Sequence, residues 1–274
     1  MSEKGTSPTK RRTQSGSQGT RGSVEDSFKI AKSRMREAGF DIGDNVEVAV
    51  DPRLPIMGYT MSGQDSRFRI TVSGMAVKSG MLEGLLAHEM SHIYRMRTKH
   101  PSHNPQIIEE VTDRVTNGAA TKDYQRKIFH NLVNNVEDLY ADDIAFKVIR
   151  KAGLLTPDQA SEFLQSWVED RPAESRDATR VRWENAWSLA NNARAIAQMS
   201  RHGIEDTGGR AAAANDRLLS RLGSPARRPF EYFRELLANL KEEITEGEYR
   251  ELLVGYLGRF RQFASERDRP TADR

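Results

Sequence analysis

The sequence predicts an α+β fold that is predominantly helical, with a small sheet beside one helix and an additional helical region at the C-terminal end. Three observations carry this. Apolar residues recur at helical spacing through most of the 274 residues. Two short stretches, 46–50 and 67–72, alternate like strands, and both precede the apolar-faced stretch 80–96. Beyond residue 152 the patterns are helices and turns. The organisation expected is a disordered basic tail over 1–22, a core over 23–152 and a C-terminal helical region over 153–274.

Residues 1–22 are rich in Ser, Gly, Thr and Gln and have no apolar periodicity, the composition of a disordered leader. Lys4, Lys10, Arg11, Arg12 and Arg21 oppose only Glu3 there, a net of +4 against +3 for the whole chain. The remainder is therefore close to neutral and gives no reason to expect a nucleic-acid surface; only the tail could touch phosphate. Residues 24–38 predict a helix with Phe28, Ile30, Ala31 and Met35 on its apolar side, ended by Gly39. The strand over 46–50 is stopped by Asp51 and Pro52. Pro55, Gly58 and Gly63 mark irregular turns. The second strand places Phe68, Ile70 and Val72 on one face and Arg67, Arg69 and Thr71 on the other. The two strands suggest a small sheet beside the cleft, whose edge, along 67–72, could pair with an extended peptide by strand addition.

A helix over 80–96 follows, then a Pro-broken loop over 98–106 that carries His100 and His103. Residues 107–115 predict a helix, Gly118 a loop, and 124–151 a long helix with few breakers. Thr156, Pro157 and Gln159 form a helix start with an N-cap, Pro at the first turn and Gln three residues on. Residues 183–199 are amphipathic, with Trp183, Trp187, Ala190 and Arg194 at helical spacing. A loop is expected over 203–210 and helices over 230–240 and 249–263, the last opened by a Thr245–Glu248 capping box.

The helix over 80–96 contains His88-Glu89-Met90-Ser91-His92, an H-E-x-x-H motif. Positions i and i+4 share a helix face, so His88 and His92 can aim ring nitrogens at one ion, and two neutral imidazoles suit zinc. Glu89 sits where a carboxylate can take a proton from a water at that ion without ligating it. On the long helix, Asn131, Asn134, Asp138, Asp142 and Ala145 fall along one line. Such a polar stripe within a largely apolar helix needs partners, which a metal and its histidines would supply.

Other chemistry is limited by composition. With no cysteine there is no disulfide, thiolate site or Cys nucleophile, which fits a reducing interior and a cytoplasmic location. No apolar run reaches the roughly 18 residues of a membrane span. The N-terminus lacks the apolar core of a signal peptide. No phosphate-binding or dinucleotide fingerprint is present.

A catalytic zinc has three protein ligands and a water. The metzincin pattern would put a third histidine at position 98, which is Thr98. The chain instead resembles the gluzincin metallopeptidases: thermolysin and, closer in local wording, the HtpX-like family. Those proteins carry H-E-x-x-H on one helix and E-x-x-x-D, often E-x-x-A-D, on a later one. Here D-L-Y-A-D, Asp138 to Asp142, matches the second motif with Asp in place of Glu. The resemblance covers roughly residues 45–150. It implies a zincin-like core, Asp138 as third ligand, and Asp142 as acceptor of a hydrogen bond from a ligand histidine. The shorter Asp requires the two helices to approach more closely. Two alternatives stay open for the third ligand: Glu137, and His103, whose loop is similar to the one after the motif in SprT-like proteins.

The function expected is zinc-dependent hydrolysis of peptide bonds in a peptide or protein substrate. His88, His92 and Asp138 hold Zn2+, and Glu89 is the general base. Tyr94, Tyr124, Tyr140 and His130 are candidate oxyanion donors. The alternatives are a catalytically silent zincin-fold regulatory or binding module with a structural metal, and nucleic-acid association through the basic tail.

Overall fold

The computed structural model describes the backbone of residues 16–116 and 122–265, with side chains from Val24 onward except that of Gln64. Residues 1–15 of the expected tail and the loop expected at Gly118 lie outside the described residues. Helix α1 (Gly16–Glu37) starts within the stretch read as tail, so residues 16–22 are helical. A helix anchored further along propagates through Ser, Gly and Gln at small cost per residue. Its anchors are Val24, Ala31 and Met35, all buried with the sheet.

Three strands form that sheet: β1 (Val46–Asp51), β2 (Gly58–Ser62) and β3 (Phe68–Ser73), in the order β1-β3-β2. β1 runs parallel to β3, with Val48 opposite Ile70, and β2 runs antiparallel to it, with Thr60 opposite Ile70. This corrects one expectation. The strand over 67–72 has no free side for a peptide, because β1 and β2 occupy both, and the edge beside the cleft is β2. The Pro and Gly residues around β2 read locally as turns, and its pairing with β3 is what makes it a strand.

Ten helices are described. After α1 come α2 (Gly74–Lys78), capped by Ser73 Oγ, and α3 (Leu82–Arg97), which carries the motif. Next are α4 (Pro105–Thr116), α5 (Asp123–Ala152) and α6 (Pro157–Gln165). The chain ends in α7 (Ala178–Arg201), α8 (Arg210–Leu222), α9 (Arg227–Ala238) and α10 (Glu246–Ser265). The predicted helix starts form as read. Thr156 Oγ1 accepts from the Gln159 amide at 3.2 Å, and Thr245 Oγ1 from the Glu248 amide at 3.3 Å. Helix α8 follows directly on the loop expected over 203–210. No described helix is long and apolar enough to cross a membrane.

The organising element is α5. Its buried residues run from Gln125 to Ile149, and between 131 and 146 none is exposed, so its middle is an interior segment while its two ends carry exposed residues such as Lys127, His130, Lys147 and Arg150. Ile144 and Val148 join the core made by the sheet, α1 and α3, with Ile70, Val72, Leu86, Met90 and Ile93. Phe129, Leu132, Val136 and Tyr140 join the core of α4, α7, α9 and α10, with Trp183, Phe233, Tyr256 and Phe260. The N-terminal and C-terminal halves thus share one helix. Gly153, at φ 62°, takes the left-handed conformation that ends it without a Cβ penalty.

Candidate metal centre

α3 presents one face to the sheet and the other to α5. Leu82, Leu86, Met90 and Ile93 are buried on the sheet side. That burial turns His88 and His92 toward α5. Arg95 Nε donates to the Tyr140 carbonyl at 3.0 Å and fixes the two helices against each other. α5 in turn points Asn134, Glu137, Asp138, Asp142 and Ala145 into the same cleft of about 1020 Å³.

His88, His92 and Asp138 are brought together as one group able to hold a metal ion, with ligand atoms within 4.8 Å of one another. The two Nε2 atoms are 3.1 Å apart, and Asp138 Oδ1 lies 3.5 Å from His92 Nε2 and 4.0 Å from His88 Nε2. A tetrahedral ion with bonds near 2.0–2.1 Å sets its ligands about 3.3 Å apart, so the spacing fits a zinc-sized ion. The three side chains keep 24%, 16% and 27% of their surface, which leaves one side of the group facing the cleft.

Each of the three is held from behind. His88 Nδ1 bonds Asp142 Oδ1 at 2.7 Å, and Gln198 Nε2 donates to the other oxygen of Asp142. Arg194 Nη2 donates to Asp138 Oδ2 at 3.0 Å and Nη1 to Asn135 Oδ1 at 2.8 Å, while the guanidinium lies 4.7 Å from the Trp167 ring centroid. Arg194 therefore occupies Oδ2 and leaves Oδ1 for an ion. His92 Nδ1 is 2.7 Å from His103 Nε2. His103 is thus a partner of His92, with its Nε2 already engaged, and does not join the group of possible ligands.

The electrostatics follow from these contacts. Burial alone would lower the His88 pKa, but Asp142, Glu89 and Asp138 outweigh it and raise it to about 10. Burial would raise Asp138, but the His92 ring beside it, Arg194 and His88 hold it well below the usual carboxylate range. Glu137 has burial and the neighbouring Asp138 charge against it, and rises to about 8. It lines the cleft but stands outside the group of possible ligands. Burial, with His92 and His100 beside it, pulls His103 well below its ordinary value.

Glu89 is 5% exposed and sits against β2. Thr60 Oγ1 donates to its Oε2 at 2.7 Å. A Cβ on Gly58 would lie 3.2 Å from the Thr71 carbonyl, tighter than ordinary contact, and would touch Glu89 Oε1 at 3.4 Å. The four candidate oxyanion donors are elsewhere. Tyr140 is fully buried against His100 and Tyr249, Tyr94 packs on Phe40, Tyr124 lies beside Lys122 and Arg180, and His130 is exposed beside Asn134. The polar side chains that do line the cleft, besides the group itself, include Asn134 and Arg194.

Sequence reasoning missed Arg194, Gln198, Thr60 and the partnership of His92 with His103. One signal was available: Arg194 and Gln198 stand at i, i+4 on α7 among Ala193, Ala195 and Ala197, repeating the i, i+4 spacing of Asp138 and Asp142. No curated protein and no solved structure matches the chain. Residues 19–263 match the model of a family of unknown function, DUF5781, and the chain belongs to that family.

Proposed function

We propose that the chain is a zinc-dependent metallopeptidase of the HtpX-like, gluzincin type, with a D-x-x-A-D variant of the second motif. The observation that carries the reading is the convergence of His88, His92 and Asp138 beside Glu89 in an open cleft. A bound zinc ion would polarise the scissile carbonyl and make a water acidic near neutral pH. Asp138 offers one oxygen to the ion because Arg194 holds the other. Asp142 orients His88 and raises its basicity as a ligand.

Glu89 is the general base. Thr60 holds Oε2, which leaves Oε1 to take the proton of the attacking water and pass it to the leaving amine. The substrate is a peptide in extended form, which pairs with the free side of β2 and so runs past Glu89. The open corner of the ligand group favours hydrolysis over a silent module with a closed structural metal, since a structural zinc takes four protein ligands.

The test is zinc content and peptidase activity of the purified chain, wild type and Glu89→Gln. The expected result is one zinc per chain in both. Turnover of a denatured protein substrate should fall by about 10²–10⁴-fold in the variant. Stoichiometric zinc with no hydrolysis of any peptide would leave the silent module standing, and no zinc would remove both readings.

A further inference from the structure

Behind His92 runs a chain of hydrogen bonds that leaves the cleft and ends in the loop between α9 and α10. His92 Nδ1 meets His103 Nε2 at 2.7 Å, His103 Nδ1 meets Ser102 Oγ at 2.7 Å, and Ser102 Oγ meets His100 Nδ1 at 2.8 Å. His100 Nε2 then meets the backbone carbonyl of Glu242 at 3.0 Å. His100 is 7% exposed and Ser102 is fully buried, so water does not compete along the middle of the chain. The end is fixed as well. Lys147 pairs with the Glu242 carboxylate at 2.5 Å, and Arg201 Nη1 donates to the Leu240 carbonyl at 2.5 Å.

The carbonyl sets the direction of every proton. A carbonyl oxygen can only accept, so His100 Nε2 donates to it, and His100 Nδ1, which takes the Ser102 backbone N–H at 3.2 Å, accepts. The Ser102 hydroxyl therefore donates to His100 Nδ1, and its oxygen accepts from His103 Nδ1. His103 Nε2 is left as an acceptor, and His92 Nδ1 donates to it. The lone pair of His92 then sits on Nε2, the atom that faces His88 Nε2 and Asp138 Oδ1. A neutral histidine in water favours its proton on Nε2, the wrong nitrogen for this group.

We propose that His103, Ser102 and His100 are positioning residues that fix the tautomer of His92 and thereby raise the affinity of the centre for its metal. The two motif histidines are thus oriented by different devices: a carboxylate behind His88, and a neutral relay anchored in the C-terminal half behind His92. The inference rests on the metal-centre part of the proposed function and is independent of hydrolysis.

The experiment compares wild type, His103→Phe, His103→Gln and Ser102→Ala in two ways. Zinc affinity is read by chelator competition. The proton position on His92 is read by long-range nitrogen–proton NMR of the metal-free, histidine-labelled protein at a pH where the ring is neutral. The expected result is a 10–100-fold weaker zinc affinity for H103F, a smaller loss for S102A, and recovery in H103Q, whose amide oxygen can accept from His92. The Nδ1 proton of His92 should be the dominant form in wild type and H103Q and give way to Nε2 in H103F. Unchanged affinity and an unchanged His92 tautomer in H103F and S102A overturn the proposal. If H103F does not fold, S102A decides in the same way. If the wild type binds no zinc, the metal-centre reading fails, and a wild-type His92 with its proton on Nε2 refutes the relay as well.

Discussion

Helices α3 and α7 face α5 and address the same two carboxylates with the same spacing, α3 at their Oδ1 atoms and α7 at their Oδ2 atoms. α3 offers His88 and His92 at i, i+4, brought with Asp138 into the group that could hold a cation. α7 offers Arg194 and Gln198 at i, i+4, aimed at Asp138 and Asp142 from the other side. Between them α5 carries the two acids. The difference lies in what each pair can be replaced by. Few side chains ligate zinc, so the α3 pair is written in a recognisable motif. Many side chains donate a hydrogen bond, so the α7 pair is written in residues that also serve ordinary helix surfaces and caps.

The comparison can be broken most strongly at α5. Asp138→Asn removes the carboxylate charge of the proposed third ligand and should weaken zinc binding more than about 100-fold, beyond the range typical of outer partners. Chelator competition on the folded variant checks it, and near wild-type affinity would shift the third ligand elsewhere. Asp142→Asn keeps the shape but loses the carboxylate behind His88. It should cost about 10–100-fold in affinity by the same measurement.

A third prediction concerns protons. The metal-free His88 pKa is raised to about 10, so at pH 7 the ring carries two protons and binding zinc through Nε2 must release one. Affinity should therefore rise with pH across the neutral range. Titration calorimetry in buffers of different ionisation enthalpy should find about one proton released per zinc at pH 7. Release of none would contradict the protonation state assigned to His88.

The smallest effect concerns Glu137, which α5 also places in the cleft. Its pKa is raised to about 8 in the folded, metal-free protein against an ordinary 4.5. The native state binds that proton more tightly than the unfolded chain, so stability contributed by Glu137 is lost as pH rises from about 4.5 through 8. Glu137→Gln should stabilise the metal-free protein by about 2 kcal/mol at pH 8, with the shift halved because the group is partly exposed, and by nothing below pH 4.5. Thermal melts at the two pH values check the sign.

What could be read in the sequence follows the same division. The α+β class, the two alternating strands, the motif helix and the long helix after it rest on local periodicity, and each is present with ends shifted by a few residues. Of the polar line on α5, Asn134, Asp138, Asp142 and Ala145 line the cleft and Asn131 does not. β2 was illegible because Pro55, Gly58 and Gly63 signal turns and only pairing with β3 makes the segment extended. The strand over 67–72 was misread as an edge because a five-residue partner with no alternation of its own covers it. Arg194 was illegible because it falls in register with Trp183, Trp187 and Ala190. A periodicity argument cannot separate a buried cation with a carboxylate partner from an apolar neighbour. The relay behind His92 spans residues 92 to 242 and is set by how the halves dock.

The most direct test of the account is a crystal structure of the zinc-loaded chain with anomalous diffraction at the zinc edge. The account predicts one zinc bound by His88 Nε2, His92 Nε2 and a single oxygen of Asp138, with the remaining position open to the cleft. A zinc held by four protein side chains, or Asp138 turned away from the two rings with no metal between them, would contradict it.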